Sequence, residues 1–368
     1  MGREPAYLSS HATNRYFIPN WGMLMCGLSI QAADDGLITD QIIIDKLVAG
    51  TLPQRISSDE KNLITNLKIK GEINGTDLGF IREMAGRSVK GENMDPGKET
   101  EGKLSILDLS DAKIVSGGEP YYQEYDYMED RYNNYFTKDN EIGYKAFWYC
   151  DLTNVTLPSS LVSIGERAFD ECHNLTSVTP PSSLVSIDEG AFCECTNLTS
   201  VTFPPGLTSI GRIAFFACHS LTNVTFPSSL TEIGDAAFGM CSFKSLTLPS
   251  SLTKIGESAF QHCIRLKSLY VGWQNPLPAG RIFDEFEISD CTLYVPQGTR
   301  LHYSGTEVWR DFGEIKEYDV SGVDKVDNHS EAKEVSRYSL DGQLLSAPVK
   351  GLNIVRYSDG SIKKAVVN

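Results

Sequence analysis

The chain has 368 residues, of which 41% are hydrophobic and 10% aromatic, and its formal net charge is −15. This apolar content indicates a folded protein, because a disordered chain buries too little apolar surface to offset its ordering. The acidic balance disfavours nucleic acid and anionic membranes as partners, since both are bound through an excess of lysine and arginine.

An apolar run lies near the start of the sequence, from Trp21 to Ile30, and small residues follow it. The run is too short to span a bilayer as a helix. The pattern predicts a signal peptide over residues 1–33, with cleavage after Ala32. The alternative is an N-terminal apolar strand or helix. No transmembrane helix is expected.

One sequence pattern recurs with a period of 22 or 23 residues through the middle of the chain. Its copies occupy residues 152–174, 175–197, 198–220, 221–242 and 243–265. A fixed period in this range is typical of leucine-rich repeats, whose stacked coils share one core. The sequence therefore predicts an α/β-to-mainly-β leucine-rich-repeat solenoid with a parallel sheet, 22–23-residue coils and a small C-terminal β appendage.

Each copy begins with alternating apolar and polar residues, which predicts a strand. In the third copy, Leu198, Val201 and Phe203 are expected to point inward, and Ser200 and Thr202 to point outward. A proline ends the strand, because it lacks the donor that a sheet ladder needs. A glycine further along is expected to turn the chain with a positive φ.

Two columns of identical apolar residues are expected to stack through the coils. The isoleucine column contains Ile142, Ile164, Ile187, Ile210, Ile233 and Ile255. The phenylalanine column contains Phe147, Phe169, Phe192, Phe215, Phe238 and Phe260.

A third column consists of cysteines, at positions 150, 172, 195, 218, 241 and 263. A disulfide or metal ladder is one interpretation, but we favour small buried apolar side chains, because parallel side chains rarely reach disulfide geometry. The chain has no Gly-rich phosphate loop, Gly-x-Ser-x-Gly or His-Glu-x-x-His motif. We therefore expect no cofactor, no metal and no enzymatic activity.

The repeat resembles the BspA-like leucine-rich repeat surface proteins of Bacteroidetes and other host-associated microbes. Its Gly-x-x-Ala-Phe-x-x-Cys segment is the most specific part, and residues 142–265 match closely. Residues 47–115 resemble the region that often precedes such repeats. Residues 293–315 look like the usual closing coil, with Trp309 and Phe312 covering the last apolar face.

These patterns divide the chain into seven parts. They are a signal peptide (1–33), an N-terminal cap with degenerate repeats (34–118), a Tyr/acid-rich insertion (119–141), regular repeats (142–265), closing coils (266–318), a linker (319–335) and a β appendage (336–368). The appendage resembles the sorting tail of type IX secretion cargo. The alternative is a β segment that only packs on the closing coil.

The resemblance implies a secreted or outer-surface-anchored protein that mediates adhesion by binding extracellular host or microbial proteins or glycans. The alternative is a structural spacer for surface display that has no specific ligand. Nothing in the repeat spacing identifies the ligand.

Two candidate binding surfaces follow from the sequence. The first is the outward face of the strands, with Asn154, Thr156, Ser177, Thr179, Ser200, Thr202, Asn223, Thr225, Ser245 and Thr247. The second is the insertion, with Tyr121, Tyr122, Tyr125, Tyr127, Tyr132 and Tyr135. Tyrosine is enriched at binding hot spots. The competing interpretations are a solvated strand face and a long loop lying on the neighbouring coil.

Overall fold

The computed structural model describes residues 36–92, 95–284 and 286–319, together with the backbone of four strands between residues 334 and 367. The predicted signal peptide (1–33) and most of the predicted linker (319–335) lie outside the described residues.

The N-terminal part alternates strands with short helices and ends in a hairpin. Its elements are β1 (Ile42–Leu47), α1 (Leu52–Arg55), α2 (Ser58–Lys61), β2 (Asn66–Ile73), α3 (Gly75–Met84), β3 (Lys90–Glu92), β4 (Ile106–Ile114), β5 (Gly117–Asp126) and β6 (Arg131–Thr137). Asn74 caps α3 by accepting a hydrogen bond from the Thr76 backbone N–H. Such a cap satisfies one of the donors left free at a helix start.

The regular coils each contribute two short strands. These strands are β7 (Glu141–Ile142), β8 (Asn154–Thr156), β9 (Ser163–Ile164), β10 (Ser177–Thr179), β11 (Ser186–Ile187), β12 (Ser200–Thr202), β13 (Ser209–Ile210), β14 (Asn223–Thr225), β15 (Glu232–Ile233), β16 (Ser245–Leu248) and β17 (Lys254–Ile255).

The closing coils and the tail complete the fold. Their elements are β18 (Ser268–Val271), β19 (Thr292–Pro296), α4 (Arg300–Ser304), β20 (Glu314–Tyr318), β21 (Glu334–Tyr338), β22 (Leu344–Leu345), β23 (Gly351–Tyr357) and β24 (Ile362–Val367). Two single 3₁₀ turns lie at Ile288–Asp290 and Trp309–Asp311.

Three parallel sheets run along the solenoid. A seven-stranded sheet has the order β1-β2-β4-β8-β10-β12-β14, and a four-stranded sheet has the order β16-β18-β19-β20. The odd-numbered strands β7 to β17 form a separate six-stranded sheet. The leucine-rich-repeat solenoid is confirmed, but the sequence predicted one sheet, and the two-residue strands of the six-stranded sheet were missed. A two-residue strand is too short to show alternation.

The two predicted apolar columns form the core. Every isoleucine of the first column is at most 8% exposed. Successive phenylalanine rings of the second column stack with centroids 5.2–5.8 Å apart. Each ring thereby completes the burial of its neighbour, so the core depends on the stacking of coils rather than on any single coil.

The repeat glycines have a different role from the predicted one. Positive φ values occur two residues later, at Arg167 (52°), Gly190 (61°) and Ile213 (48°). A Cβ at Gly211 would lie 2.6 Å from the backbone of the previous coil, and one at Gly234 would lie 2.5 Å from it. Glycine is therefore needed here for the close approach of successive coils, and the left-handed residue is elsewhere in the turn.

The cysteine column is buried, and within the described residues its members are not joined by disulfides. The Cys172 thiol donates to the Phe147 carbonyl at 3.0 Å, and the Cys218 thiol donates to the Phe192 carbonyl at 3.2 Å. Burial raises the pKa of Cys150 to about 11 and that of Cys263 to about 12. The favoured interpretation of small buried side chains is confirmed. In addition, the thiols form hydrogen bonds from one coil to the previous one.

The closing coils cover the end of the core with aromatic rings. Trp309 is fully buried and Phe312 is 5% exposed, and their rings stack 6.4 Å apart. Phe312 also meets Phe283, the ring that stacks on the last member of the phenylalanine column. This arrangement matches the expected role of Trp309 and Phe312.

The C-terminal strands form an antiparallel sheet of order β22-β21-β23-β24. The predicted β appendage is thus present as backbone structure. Its resemblance to a sorting tail stays a prediction.

Candidate functional site

The outward strand face brings the first set of predicted residues together in register. Backbone pairing aligns Asn154, Ser177, Ser200 and Asn223 in one row, and Thr156, Thr179, Thr202 and Thr225 in a second row. All eight side chains are exposed or half-buried. Ser245 and Thr247 lie on β16, the first strand of the four-stranded sheet.

The hydroxyls of the second row differ in their hydrogen bonding from those of a neighbouring threonine column. Thr153 and Thr176 each donate to a carbonyl of the previous coil at 3.0 Å. In the part of the chain that the structure describes, the hydroxyls of Thr179, Thr202 and Thr225 have no hydrogen-bond partner. Each of them can therefore donate one bond and accept two from a ligand.

An ion-pair cluster lies at the N-terminal end of this face. Lys68 Nζ lies 2.9 Å from an Asp108 oxygen and 3.0 Å from an Asp111 oxygen. Hydrogen bonds to these carboxylates raise the pKa of Lys68. Asp108 pairs with Thr156 in the sheet register, so the charged cluster continues the threonine row.

Tyrosines lie at the other end, and the sequence reasoning did not select them. Tyr270 pairs with Thr247 and Tyr294 in the sheet register. The rings of Tyr270 and Tyr294 stack 4.3 Å apart, and Tyr318 meets Tyr270 edge-on. The alternating sequences around both tyrosines match the repeat strand and could have placed them in the threonine row.

The second candidate surface is a hairpin rather than a loop. Strands β5 and β6 pair antiparallel between residues 117 and 137, and β3 pairs with β5. Tyr121 and Tyr122 are 1% and 0% exposed, so the prediction that they contact a ligand is wrong. The Tyr121 hydroxyl donates to the Tyr144 carbonyl, and Tyr122 packs against the guanidinium of Arg82.

The base of the hairpin is fixed by a network of rings and charges. Tyr135 stacks on Tyr122 at 5.9 Å and on Tyr144 at 4.4 Å. The Lys145 ammonium donates to Glu124 at 2.6 Å, and both side chains are almost buried. Tyr135 therefore serves the core more than the surface, and the hairpin is held in one position.

Three of the six predicted tyrosines, Tyr125, Tyr127 and Tyr132, group at the tip. The Tyr125 ring lies 5.0 Å from that of Tyr127 and 5.1 Å from that of Tyr132. Hydrogen bonds to Asp130 and Glu92 raise the pKa of Tyr125 and of Tyr127, respectively. Tyr127 is 62% exposed, and the adjacent Met128 is 95% exposed.

The described ranges contain neither a group of metal-ligating side chains nor a membrane-spanning helix. Within residues 36–92, 95–284 and 286–319, no three His, Cys, Asp or Glu side chains are grouped so as to hold a metal ion. In the same ranges, every helix is too short or too polar to cross a bilayer.

Residues 140–267 match the family model described as BspA type Leucine rich repeat region, in six copies. No curated protein matches the sequence significantly. The family match over residues 140–267 agrees with the resemblance found for the regular coils, whose predicted range was 142–265.

Solved structures of leucine-rich repeat proteins are also similar to this chain. One from Bacteroides ovatus ATCC 8483 is 23% identical, covering 70% of this chain and 61% of its own, with a TM-score of 0.40. One from T. pallidum is 27% identical, covering 48% of this chain and 62% of its own, with a TM-score of 0.28. A leucine rich cell surface protein from Faecalibacterium prausnitzii A2-165 is 22% identical, covering 50% of this chain and 63% of its own, with a TM-score of 0.32.

The chain thus spans about three fifths of the length of these structures. The family match and the coil geometry together identify a leucine-rich-repeat solenoid whose regular coils are similar to the BspA type.

Proposed function

We propose that this protein binds an extracellular protein or glycan on its outward strand face and acts in adhesion. The observation that supports this most is the row of exposed threonine hydroxyls at Thr179, Thr202 and Thr225, which have no partner in the described chain. Neighbouring threonines use their hydroxyls to join coils, so the free row is available to a ligand.

The geometry of the face favours an extended ligand. Successive strands of a sheet lie about 4.8 Å apart, so each row offers hydroxyl or amide groups at regular intervals. A flat face of this kind suits binding better than catalysis, because a reaction centre needs a concave, water-excluding site. We accordingly propose a binding protein rather than an enzyme.

We also propose that the protein is located at the cell surface. The supporting observations are the similarity of residues 140–267 to the BspA type repeats and the predicted signal peptide at residues 1–33. The proposal includes a sorting role for the tail that contains strands β21 to β24.

The hairpin tip is a second candidate site, for a protein partner. Tyr125, Tyr127 and Tyr132 pack against one another, so they would lose little side-chain freedom on binding. Acidic residues lie around them, including Glu92, Asp126 and Glu129, which favours a partner with a basic rim.

The test is saturable binding of the chain from Ala33 onward to an array of matrix proteins, mucins and glycans. A face variant carries Thr179→Lys, Thr202→Lys and Thr225→Lys. A matched control carries Ser159→Lys, Ser182→Lys and Ser228→Lys, three exposed positions off the face that add the same charge.

We expect the face variant to lose binding while its circular dichroism and the binding of the control stay unchanged. Binding that survives in the face variant would contradict the face proposal and direct attention to the hairpin, where Tyr127→Ala is the next variant. A chain with no saturable ligand on the array would favour the structural spacer.

A further inference from the structure

A cleft of about 510 Å³ lies between helix α3 and the hairpin. This volume is in the range of small-ligand sites. Its lining includes Phe80 and Glu83 from α3, Gln123 from β5, and Asn134 and Phe136 from β6. The cleft shares no residue with the outward strand face or with the tyrosines of the hairpin tip.

The walls of the cleft are held in place by close contacts. The Glu119 backbone N–H donates to the Thr76 hydroxyl at 2.9 Å, which joins the start of β5 to α3. A Cβ at Gly75 would collide with the Glu119 carbonyl, so glycine permits this approach. The cleft is therefore formed before a ligand arrives, which reduces the entropy lost on binding.

Phe136 provides an open aromatic surface in the cleft. Its side chain is 50% exposed, although it lies within a concave site. The Phe80 ring is less available, because the Lys61 ammonium lies 4.6 Å from its centroid. The π-face of an aromatic ring carries negative charge density and attracts polarised C–H groups.

Planar polar groups accompany this ring. Gln123 Nε2 donates to Asn134 Oδ1 at 2.6 Å. That bond leaves the Gln123 carbonyl as an acceptor and the Asn134 amide as a donor, next to each other. Glu83 and Glu119, which also line the cleft, add acceptor oxygens.

This combination matches the surface of a sugar ring. A pyranose has one face of C–H groups, which can pack on Phe136, and neighbouring hydroxyls that each donate and accept hydrogen bonds. Protein hot spots are instead rich in Trp, Tyr and Arg, and none of these residues lines the cleft. Glu83 is ion-paired with Lys61, so Glu119 is the carboxylate that would repel a sugar carrying a carboxylate or sulfate.

We propose that the cleft between α3 and the hairpin is a binding site for a neutral saccharide unit. The site acts independently of the outward strand face, so the two proposals can fail separately.

The experiment applies the chain from Ala33 onward to an array of neutral and acidic glycans, then titrates the strongest neutral glycan by calorimetry. Phe136→Ala and Asn134→Ala should each weaken binding about tenfold, which corresponds to ~1.4 kcal/mol. Phe136→Leu keeps apolar bulk without a ring face and should weaken binding similarly. Met128→Ala, at the exposed hairpin tip, is the matched control and should bind as the unmodified chain does.

The Thr179, Thr202 and Thr225 lysine variant should retain binding at the cleft. Three results would overturn the proposal: no neutral glycan bound by the chain, binding that Phe136→Ala and Asn134→Ala leave unchanged, or preferential binding of acidic glycans. A basic peptide that binds in place of any glycan, and is lost in Phe136→Ala, would also overturn it and identify a peptide groove.

Discussion

The regular coils and the N-terminal coils share a sheet but use their side chains differently. Strand β4 of the N-terminal part pairs directly with β8 of the regular part, so the main-chain ladder is continuous. In the regular coils, equivalent positions carry the same residue and stack on copies of themselves. In the N-terminal coils, the strands are joined by longer connections, which contain α3 and the hairpin and form the cleft.

The difference extends to the buried interior. The regular coils bury columns of Ile, Phe and Cys, and Lys145 and Asp170 are their buried charged residues. The N-terminal part buries Asp77 and the guanidinium of Arg82, and its Glu124 pairs with Lys145 of the first regular coil. Repetition thus favours an apolar core, whereas the irregular region uses Arg82 to satisfy carbonyls of its own loops and of its junction with the first regular coil. Four substitutions can test this contrast.

The largest effect is expected in the regular coils, from Phe215→Ala. The ring of Phe215 stacks on Phe192 at 5.2 Å and on Phe238 at 5.3 Å, and it is fully buried. We expect a loss of about 3–5 kcal/mol in the free energy of unfolding, measured by urea denaturation. Phe136→Ala, at a half-exposed ring, is the control. A loss below ~1 kcal/mol for Phe215→Ala would contradict the stacked core.

The next effect is expected in the N-terminal part, from Arg82→Met. The Arg82 guanidinium donates to the carbonyls of Ser88, Lys145, Ala146 and Pro96 at 2.7–3.2 Å. Methionine would leave these carbonyls without that donor, which should cost about 3 kcal/mol.

Hydrogen exchange should show where the Arg82 effect is confined. We expect faster exchange in α3, in the hairpin and in the first regular coil, whose Lys145 and Ala146 carbonyls accept from Arg82. Exchange in the later regular coils should be unchanged, with the exposed Arg310→Met as control. Equal acceleration in both regions would show that they form one cooperative unit.

A smaller, pH-dependent effect is expected from Asp170→Asn in the regular coils. Burial raises the pKa of Asp170 from its ordinary 3.8 to about 6, although Arg167 partly opposes the shift. Between these values the folded chain holds a proton that the unfolded chain has lost, so stability falls as pH rises. Asparagine has no such proton, so relative to the unmodified chain the variant should gain about 2 kcal/mol from pH 4 to pH 7.

Asp108→Asn is the contrasting control from the N-terminal part. Burial acts to raise the pKa of Asp108, but hydrogen bonds from Ser110 and Lys68 outweigh it and lower that pKa. Its stabilising contribution is present above the ordinary pKa and lost as pH falls, so its pH trend has the opposite sign. Thermal unfolding at several pH values measures both, and identical trends would contradict the assignment.

The smallest effect is expected from Cys218→Ala. Its thiol bond to the Phe192 carbonyl is a single weak link, and that carbonyl also accepts the Cys195 backbone N–H. We expect a loss of about 1 kcal/mol by urea denaturation, and no change in the unfolding of the parent chain on adding a reductant. Stabilisation that disappears in reductant would instead reveal a disulfide ladder.

Much of the regular region could be predicted from the sequence, because each column is repeated in several coils. The inward positions of Leu198, Val201 and Phe203 follow from alternation, and the stacked phenylalanine column follows from the period. The outward threonine row was also predictable. Within the described residues, its hydroxyls have no hydrogen-bond partner, unlike those of Thr153 and Thr176. This difference depends on side-chain rotation and could not be predicted from the sequence.

The irregular parts resisted prediction for a different reason. The six tyrosines of the insertion lie in one Tyr- and acid-rich segment, yet Tyr121 and Tyr122 are core residues while Tyr127 is exposed. Which of them is buried depends on the contacts that β5 makes with α3, including its Arg82, and α3 is far from β5 in sequence. The cleft beside Phe136 has the same origin, since its walls come from separate segments.

By itself, the sequence determined the solenoid, the coil length and the columns of the core, because repetition makes local preference and burial agree in every coil. Only the tertiary structure decided the second sheet of the regular coils, the close-approach role of Gly211 and Gly234, the hairpin and the cleft beside Phe136. The hairpin and the cleft arise where segments distant in the chain meet, which a periodic pattern does not report. The second sheet and the glycine contacts lie between successive coils, but two-residue strands show no alternation and a glycine in the sequence does not reveal how closely the next backbone approaches.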